Sequence, residues 1–203
     1  MTDDTDQDSY EPYCSRRSDN EQRWSFVRAH LADEHETLLD VGCAEGYFTH
    51  AAAEYGLDAI GVESDEARVE SARRDHGDVD GASFEQHTVT PETVADLPAT
   101  DVTLLLTVQH HWVGAFGVEA ATEMLRSVAT KTDRLFYEPP GSRFLTPDRP
   151  IDPDDSVQRY REYLGDVFGE SITVLDVAMF SHVNEGEWVD RRDPLFVADT
   201  TSV

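Results

Sequence analysis

TLLDVGCAEGYFTH, residues Thr37 to His50, is the stretch from which the rest of the chain can be read. Leu38, Leu39 and Val41 form a short apolar run suited to a buried parallel strand. Gly42 ends that run, and Gly46 follows four residues later. Tyr47 to Tyr55 then shows helical spacing, with Phe48, Ala51, Ala52 and Tyr55 on one face. The unit is strand, glycine-punctuated turn, helix. Such a turn brings backbone close to a ligand: Gly42 can take a φ that other residues resist, and Gly46 presents no Cβ. The N–H groups opening the helix face the crevice at the carboxyl ends of the strands, where open α/β sheets bind their ligands. The dinucleotide fingerprint G-x-G-x-x-G is excluded by Ala44 and Tyr47.

About twenty residues beyond the turn, DAIGVES closes a second apolar strand at Glu63, where a carboxylate can accept hydrogen bonds from two ribose hydroxyls. With Asp40, the two glycines and Glu63 at these spacings, the chain from about Thr37 to Glu138 resembles the class I S-adenosylmethionine-dependent methyltransferases. The resemblance implies an α/β fold: a Rossmann-like, seven-stranded, mostly parallel sheet with helices on both faces and a C-terminal antiparallel strand pair. It also implies S-adenosyl-L-methionine as cofactor. Asp40, Gly42 and Gly46 would surround its amino-acid end and Glu63 its ribose, with Cys43, in the same turn, a further cofactor-binding candidate. Gln86, His87 and Thr88, at the end of the third strand, would lie beside adenine, and Thr107, on the fourth strand, is a further cofactor-binding candidate.

The charge balance is extreme, with 42 acidic residues against 16 basic and a formal net charge of -26 in 203 residues. Lys131 is the single lysine; the other fifteen basic residues are arginines. The acids run through the whole chain rather than forming a tail, which suits a protein of a salty cytoplasm, where ions screen self-repulsion. A halophilic archaeal source follows as an expectation, with a cytoplasmic location. Two cysteines, Cys14 and Cys43, set no disulfide framework, and no Cys/His spacing suggests zinc or another metal. No run has the length of a membrane span. The acidity disfavours a nucleic-acid partner, because phosphate recognition leans on lysine and arginine patches.

Residues 1–9 read as an acidic disordered tail, and 10–203 as a single methyltransferase domain with residues 10–35 as a helical cover over the crevice. In that cover a helix is expected from Asp19, with Trp24, Phe26, Val27 and Leu31 apolar. Arg16, Arg17 and Arg23 are candidate clamps for an anionic substrate. Further on, a helix is expected over Asp65–Asp75, a strand over Ala82–Val89, a short helix over Pro91–Leu97 and a central strand over Thr100–Val108. A helix over Val118–Thr130, a strand over Arg134–Glu138 and a helix after Asp154 follow. Strands Ile172–Phe180 and Leu195–Asp199 close the chain, with SHVNEGEWVDRRD between them read as a long connection.

Methyl transfer from a sulfonium needs donor and acceptor held in line, and a base where the acceptor is a hydroxyl. His110, His111 and Trp112 leave the central strand at its chemical end, so either histidine is a candidate base, Glu138 is the second choice, and Trp112 is a candidate substrate contact. No Asn/Asp-Pro-Pro-Tyr signature follows that strand, and one lysine cannot supply a lysine-rich catalytic tetrad. The Arg23-Trp24 pair, the GC-x-EGYFT turn and V-x-HH-W also resemble small methyltransferases of surface-polysaccharide pathways. That resemblance implies O-methylation of a sugar, with a hexuronic acid among the candidates, on a small-molecule or lipid-linked glycan in surface-layer glycoprotein assembly, and peripheral contact with a membrane. The rival readings are a tRNA (wobble uridine) methyltransferase and a non-catalytic cofactor-binding module. Oligomeric state is not encoded in any pattern here.

Overall fold

The computed structural model describes residues 19–139, 156–184 and 187–200. The expected acidic tail, Cys14, the Arg16-Arg17 pair and the 147–153 connection lie outside these residues. On the first strand, β1 (Thr37–Val41), the adjacent leucines serve different cores. Leu38 packs with Val27, Phe48 and Ala52 on one face, and Leu39 packs with Trp112, Leu125 and Leu164 on the other. This two-residue alternation recurs on β4 (Thr100–Leu106), where Leu104 and Leu105 divide between the same two cores. A sheet covered on both faces explains why its central strands read as unbroken apolar runs.

The other strands are β2 (Asp58–Glu63), β3 (Ala82–Gln86), β5 (Thr132–Glu138), β6 (Ile172–Asn184) and β7 (Glu187–Thr200). The sheet order is β3-β2-β1-β4-β5-β7-β6, parallel through β5 and antiparallel in the last pair. This is the seven-stranded, Rossmann-like α/β architecture expected from the sequence. The order reverses between β1 and its two neighbours, β2 and β4, which opens a crevice at their carboxyl ends.

The helices are α1 (Asn20–Ala29), α2 (Tyr47–Tyr55), α3 (Glu66–His76), α4 (Gln109–Ala129) and α5 (Ser156–Phe168). Asp65 caps α3 instead of opening it: its Oδ1 accepts from the N–H groups of Ala67 at 2.8 Å and Arg68 at 3.2 Å. Lys131, in the turn between α4 and β5, donates to the carbonyls of Ala95 at 2.6 Å and Leu97 at 2.7 Å.

Three expected elements differ. The helix over Pro91–Leu97 is a single 3₁₀ turn, Val94–Asp96. Helix α4 begins at Gln109 rather than Val118, so the His110-His111-Trp112 stretch is helical. Gly117, at φ 85° and ψ 166°, breaks α4 into two segments, and a glycine-rich GAFG stretch disguises the first of them as a loop. The connection SHVNEGEWVDRRD is mostly strand: β6 and β7 pair from Ile172/Thr200 out to Asn184/Glu187. Pairing to β5 covers only Phe196–Asp199, so beyond it the hairpin bonds to itself, and Pro194 falls where no ladder to β5 needs its missing N–H.

Candidate functional site

A cavity of about 430 Å³ occupies the crevice at the ends of β1, β2, β3 and β4. Its volume falls within the roughly 300–1,000 Å³ of small-molecule sites. Two non-glycine residues on its wall hold left-handed backbone, Ala44 at φ 50° and Thr107 at φ 57°. Such conformations are costly for L-residues and concentrate where a chain is bent around a ligand. Thr107 directly follows β4 and Ala44 lies in the turn after β1, the two strands that flank the reversal in sheet order. Gly42, also on the wall, has φ 74°, and a Cβ there would meet Val108 Cγ2 at 2.6 Å. The turn and the start of α4 therefore approach each other only because residue 42 carries no side chain.

Glu63 ends β2 on the cavity wall with most of its surface buried. Its Oε2 accepts from the Ala44 N–H at 3.1 Å. Its Oε1 accepts from the Ser64 N–H at 2.8 Å, the Ser64 hydroxyl at 3.0 Å and the Asp65 N–H at 3.1 Å. Those donors hold the carboxylate in one orientation, and the Ser64 hydroxyl can rotate away when a diol competes for the same oxygen. Thr88, His87 and Thr107 line the same cavity, and the His87 Nε2 is buried there without a hydrogen-bond partner. Gln86 does not line it; its side chain is exposed and its amide donates to the Ser64 carbonyl at 3.5 Å.

Helix α4 supplies the opposite wall through His111, Trp112, Ala115 and Phe116, spaced as one helical face. Of the two histidines, His111 is on the wall and His110 is not; their rings are 3.9 Å apart. The His111 pKa is lowered, first by desolvation and then by the Arg68 charge, with Glu63 opposing. Its imidazole is therefore neutral at neutral pH and able to accept a proton. Trp112 is 4% exposed and forms wall rather than an open aromatic surface. Arg68 also lines the cavity and escaped the sequence reading, although its place three residues past the Asp65 cap puts it in the helical turn nearest the crevice.

A second, much smaller cavity of about 20 Å³ adjoins the first at Gly42, Ala44 and Leu106. Asp40, Cys43, Tyr47, Asn20 and Arg23 line it. Asp40 accepts from the Thr49 hydroxyl at 2.9 Å. Burial raises its pKa to about 6, against the lowering by Thr49 and Arg23, and Glu63 pushes in the same direction as burial. Burial likewise pushes the Cys43 thiol far up, so Cys43 is a small neutral filler.

Three expectations require correction. Arg23 is not an open clamp and Glu138 is not an open base: both are 0% exposed and ion-paired to each other, with Arg23 also donating to Asn20 Oδ1 at 3.1 Å. A buried arginine and a buried glutamate in one place neutralise each other, because either alone would carry a large desolvation cost. The Arg23 Nε is left without a partner beside the small cavity. Gly46, expected to make room for a ligand, lines neither cavity; a Cβ there would meet Phe84 Cε1 at 2.4 Å, so its smallness serves the packing of α2 on β3. Arg16 and Arg17 lie outside the described residues. Among the described residues no group of three metal-ligating side chains converges, and no helix is long and apolar enough to cross a membrane.

The residues present fit S-adenosylmethionine. A carboxylate lies at the end of β2, the cavity has a suitable size, and an acid and an unmatched arginine N–H stand where a zwitterionic amino-acid end would reach. A family described as a methyltransferase domain matches residues 39–132, just under half of the chain. No curated protein sequence matches. The bifunctional kinase-methyltransferase WbdD is similar in structure, with TM-score 0.65 and 19% identity over 92% of this chain and 40% of that one. The chain thus spans well under half of WbdD. Magnesium protoporphyrin IX methyltransferase (ChlM) from Synechocystis PCC 6803, with bound SAM, gives TM-score 0.63 and 18% identity over 89% of this chain and 77% of that one. Likenesses at these identities establish a shared fold. Together with the family match they support a class I S-adenosylmethionine-dependent methyltransferase.

Proposed function

We infer that this chain binds S-adenosylmethionine in the 430 Å³ cavity and methylates an oxygen of a glycan. The observation that carries the cofactor half is the Glu63 carboxylate, held by four donors on the wall of a cavity at the reversal in sheet order. Glu63 would take the ribose hydroxyls, while His87, Thr88, Thr107 and Val108 would flank the base. Asp40 would attract the ammonium of the amino-acid end, and the spare Arg23 N–H would meet its carboxylate. When bound, the cofactor supplies an electrophilic methyl on a sulfonium.

The chain's task is then to exclude water, align the acceptor and, for a hydroxyl, take its proton. His111 suits that task better than His110, because it lines the cavity and its depressed pKa keeps it neutral. A carboxylate acceptor, such as that of a hexuronic acid, would need no base. The glycan assignment is supported by the Arg23-Trp24, GC-x-EGYFT and V-x-HH-W resemblance and by the scarcity of cationic side chains for a nucleic acid.

Calorimetry tests the first half: Glu63→Ala should lose about 2–4 kcal/mol of S-adenosylmethionine affinity through the missing charged acceptor. Unchanged affinity would remove Glu63 from the site. Methyl transfer to lipid-linked sugars, compared with total tRNA and read by mass spectrometry, tests the second. For a hydroxyl acceptor, His111→Ala should slow turnover by ~10²–10⁴-fold with cofactor affinity nearly intact, and His110→Ala much less. A methylated tRNA product would overturn the glycan assignment.

A further inference from the structure

Gln109 lies outside the cavity lining and is completely buried, yet its amide is the centre of a directed chain of hydrogen bonds. The Tyr137 hydroxyl, on β5, donates to Gln109 Oε1. The amide nitrogen donates to the Tyr163 hydroxyl, on α5, at 2.8 Å, and more weakly to the Ala121 carbonyl at 3.5 Å. Thr122 spends its own hydroxyl proton on the Val118 carbonyl at 2.8 Å. Its 3.2 Å contact with Tyr163 is therefore a donation from Tyr163. Each hydroxyl and each end of the amide thus has one consistent role, and together they join β5, α5 and both segments of α4.

The segment so anchored is the one that ends at Gly117. It carries His111, Trp112, Ala115 and Phe116 along the cavity wall. Toward its far end the glycines face open space, where a Cβ built at Gly114 or Gly117 would find no packing partner. Phe116 is 40% exposed at the cavity rim. Trp112 ties the middle of this wall to the core, while the network at Gln109 fixes the rotation of its first turn and Gly117 joints its end. An amide suits this role because donor and acceptor ends demand different partners, which fixes one rotamer and one rotation of the first helical turn.

We propose that Gln109 is a positioning residue, holding the first segment of α4 against the crevice through Tyr137 and Tyr163, so that its exchange for an apolar side chain opens the cavity wall. The proposal rests on the cofactor reading for its effect on affinity only, and its test has a readout that needs no cofactor.

In a Trp24→Phe, Trp188→Phe background, acrylamide quenching follows Trp112 alone, and amide exchange follows residues 109–116. Gln109→Leu should raise Trp112 quenching several-fold and speed exchange in 109–116, with β1 and β4 unchanged. S-adenosylmethionine affinity should fall by about 10- to 100-fold, in the range of a lost buried polar network. Tyr163→Phe should shift all three readouts in the same direction by less, and it serves alone if Gln109→Leu fails to fold. Unaltered Trp112 quenching and unaltered exchange in these variants would overturn the proposal, even with weakened cofactor binding. If the unsubstituted protein binds no S-adenosylmethionine while Trp112 responds as described, the cofactor reading fails and the positioning role stands.

Discussion

Replacing Asp40 by asparagine should stabilise the ligand-free protein and weaken its hold on a cationic ligand. Asp40 is 3% exposed, and burial raises its pKa from 3.8 to about 6 despite the Thr49 hydrogen bond and the Arg23 charge. For an acid whose folded pKa lies above its unfolded one, the stabilising contribution is complete below pH 3.8 and is lost as the pH rises through about 6. Above that, the folded chain carries an ionised carboxylate that the unfolded chain hydrates at no cost. A rise from 3.8 to about 6 corresponds to about 3 kcal/mol at full expression. Asparagine keeps an oxygen for the Thr49 hydroxyl and never ionises, but its amide N–H groups also need acceptors, which reduces the expected gain to about 1–3 kcal/mol. Urea denaturation in molar potassium chloride, repeated from pH 4 to 8, measures the difference. Asp40→Asn and the original should converge near pH 4 and separate through pH 6, with the variant the more stable. A difference independent of pH, or a less stable variant above pH 6, would refute the reasoning. Calorimetry on the same pair should show tighter S-adenosylmethionine binding by the acid form.

Breaking the buried pair with Glu138→Gln should cost about 3–5 kcal/mol, since Arg23 would remain charged and buried without its counter-ion; chemical denaturation measures this, and a neutral result would contradict the pairing. Gly46→Ala combines a left-handed φ of 86° with a Cβ placed 2.4 Å from Phe84, for an expected loss of roughly 2–4 kcal/mol. Adding Phe84→Leu should recover part of it, and strict additivity of the two changes would place the strain elsewhere. With 42 acids against 16 bases, the melting temperature should climb between dilute and molar potassium chloride; a flat profile would contradict salt adaptation.

The first two strands, the glycine turn and the parallel order were legible because buried parallel strands and a helix of Ala, Phe and Tyr leave strong apolar signals at Leu38, Leu39, Val62 and Phe48. Glu63 could be found by its spacing from the turn. Other features had no local signal. Arg23 and Glu138 are 115 residues apart, and nothing near either announces that each neutralises the other. The first segment of α4 was hidden by Gly114 and Gly117, whose low helix propensity outweighs a wall-facing pattern only four residues deep. Among the described residues the outer half of the β6–β7 hairpin pairs only with itself, so its sequence carries less of the alternation by which strands are recognised. Gly46 was rightly singled out for closeness but assigned the wrong neighbour, because a sequence gives the need for a small residue without saying what crowds it.

Lys131 gives the molecule a single side-chain primary amine, and both of its bonds run to carbonyls of one 3₁₀ turn at the end of the sheet away from the cavity. A stable amide formed on a side-chain amine by an acylating reagent can therefore lie only at that residue. Modification would also remove the charge and leave one N–H for the two carbonyls that now fasten the turn before β4 to the start of β5. The rate of acylation at Lys131 therefore reads how firmly its two hydrogen bonds hold that corner, and a ligand that tightens the whole sheet should lower it without touching the lysine.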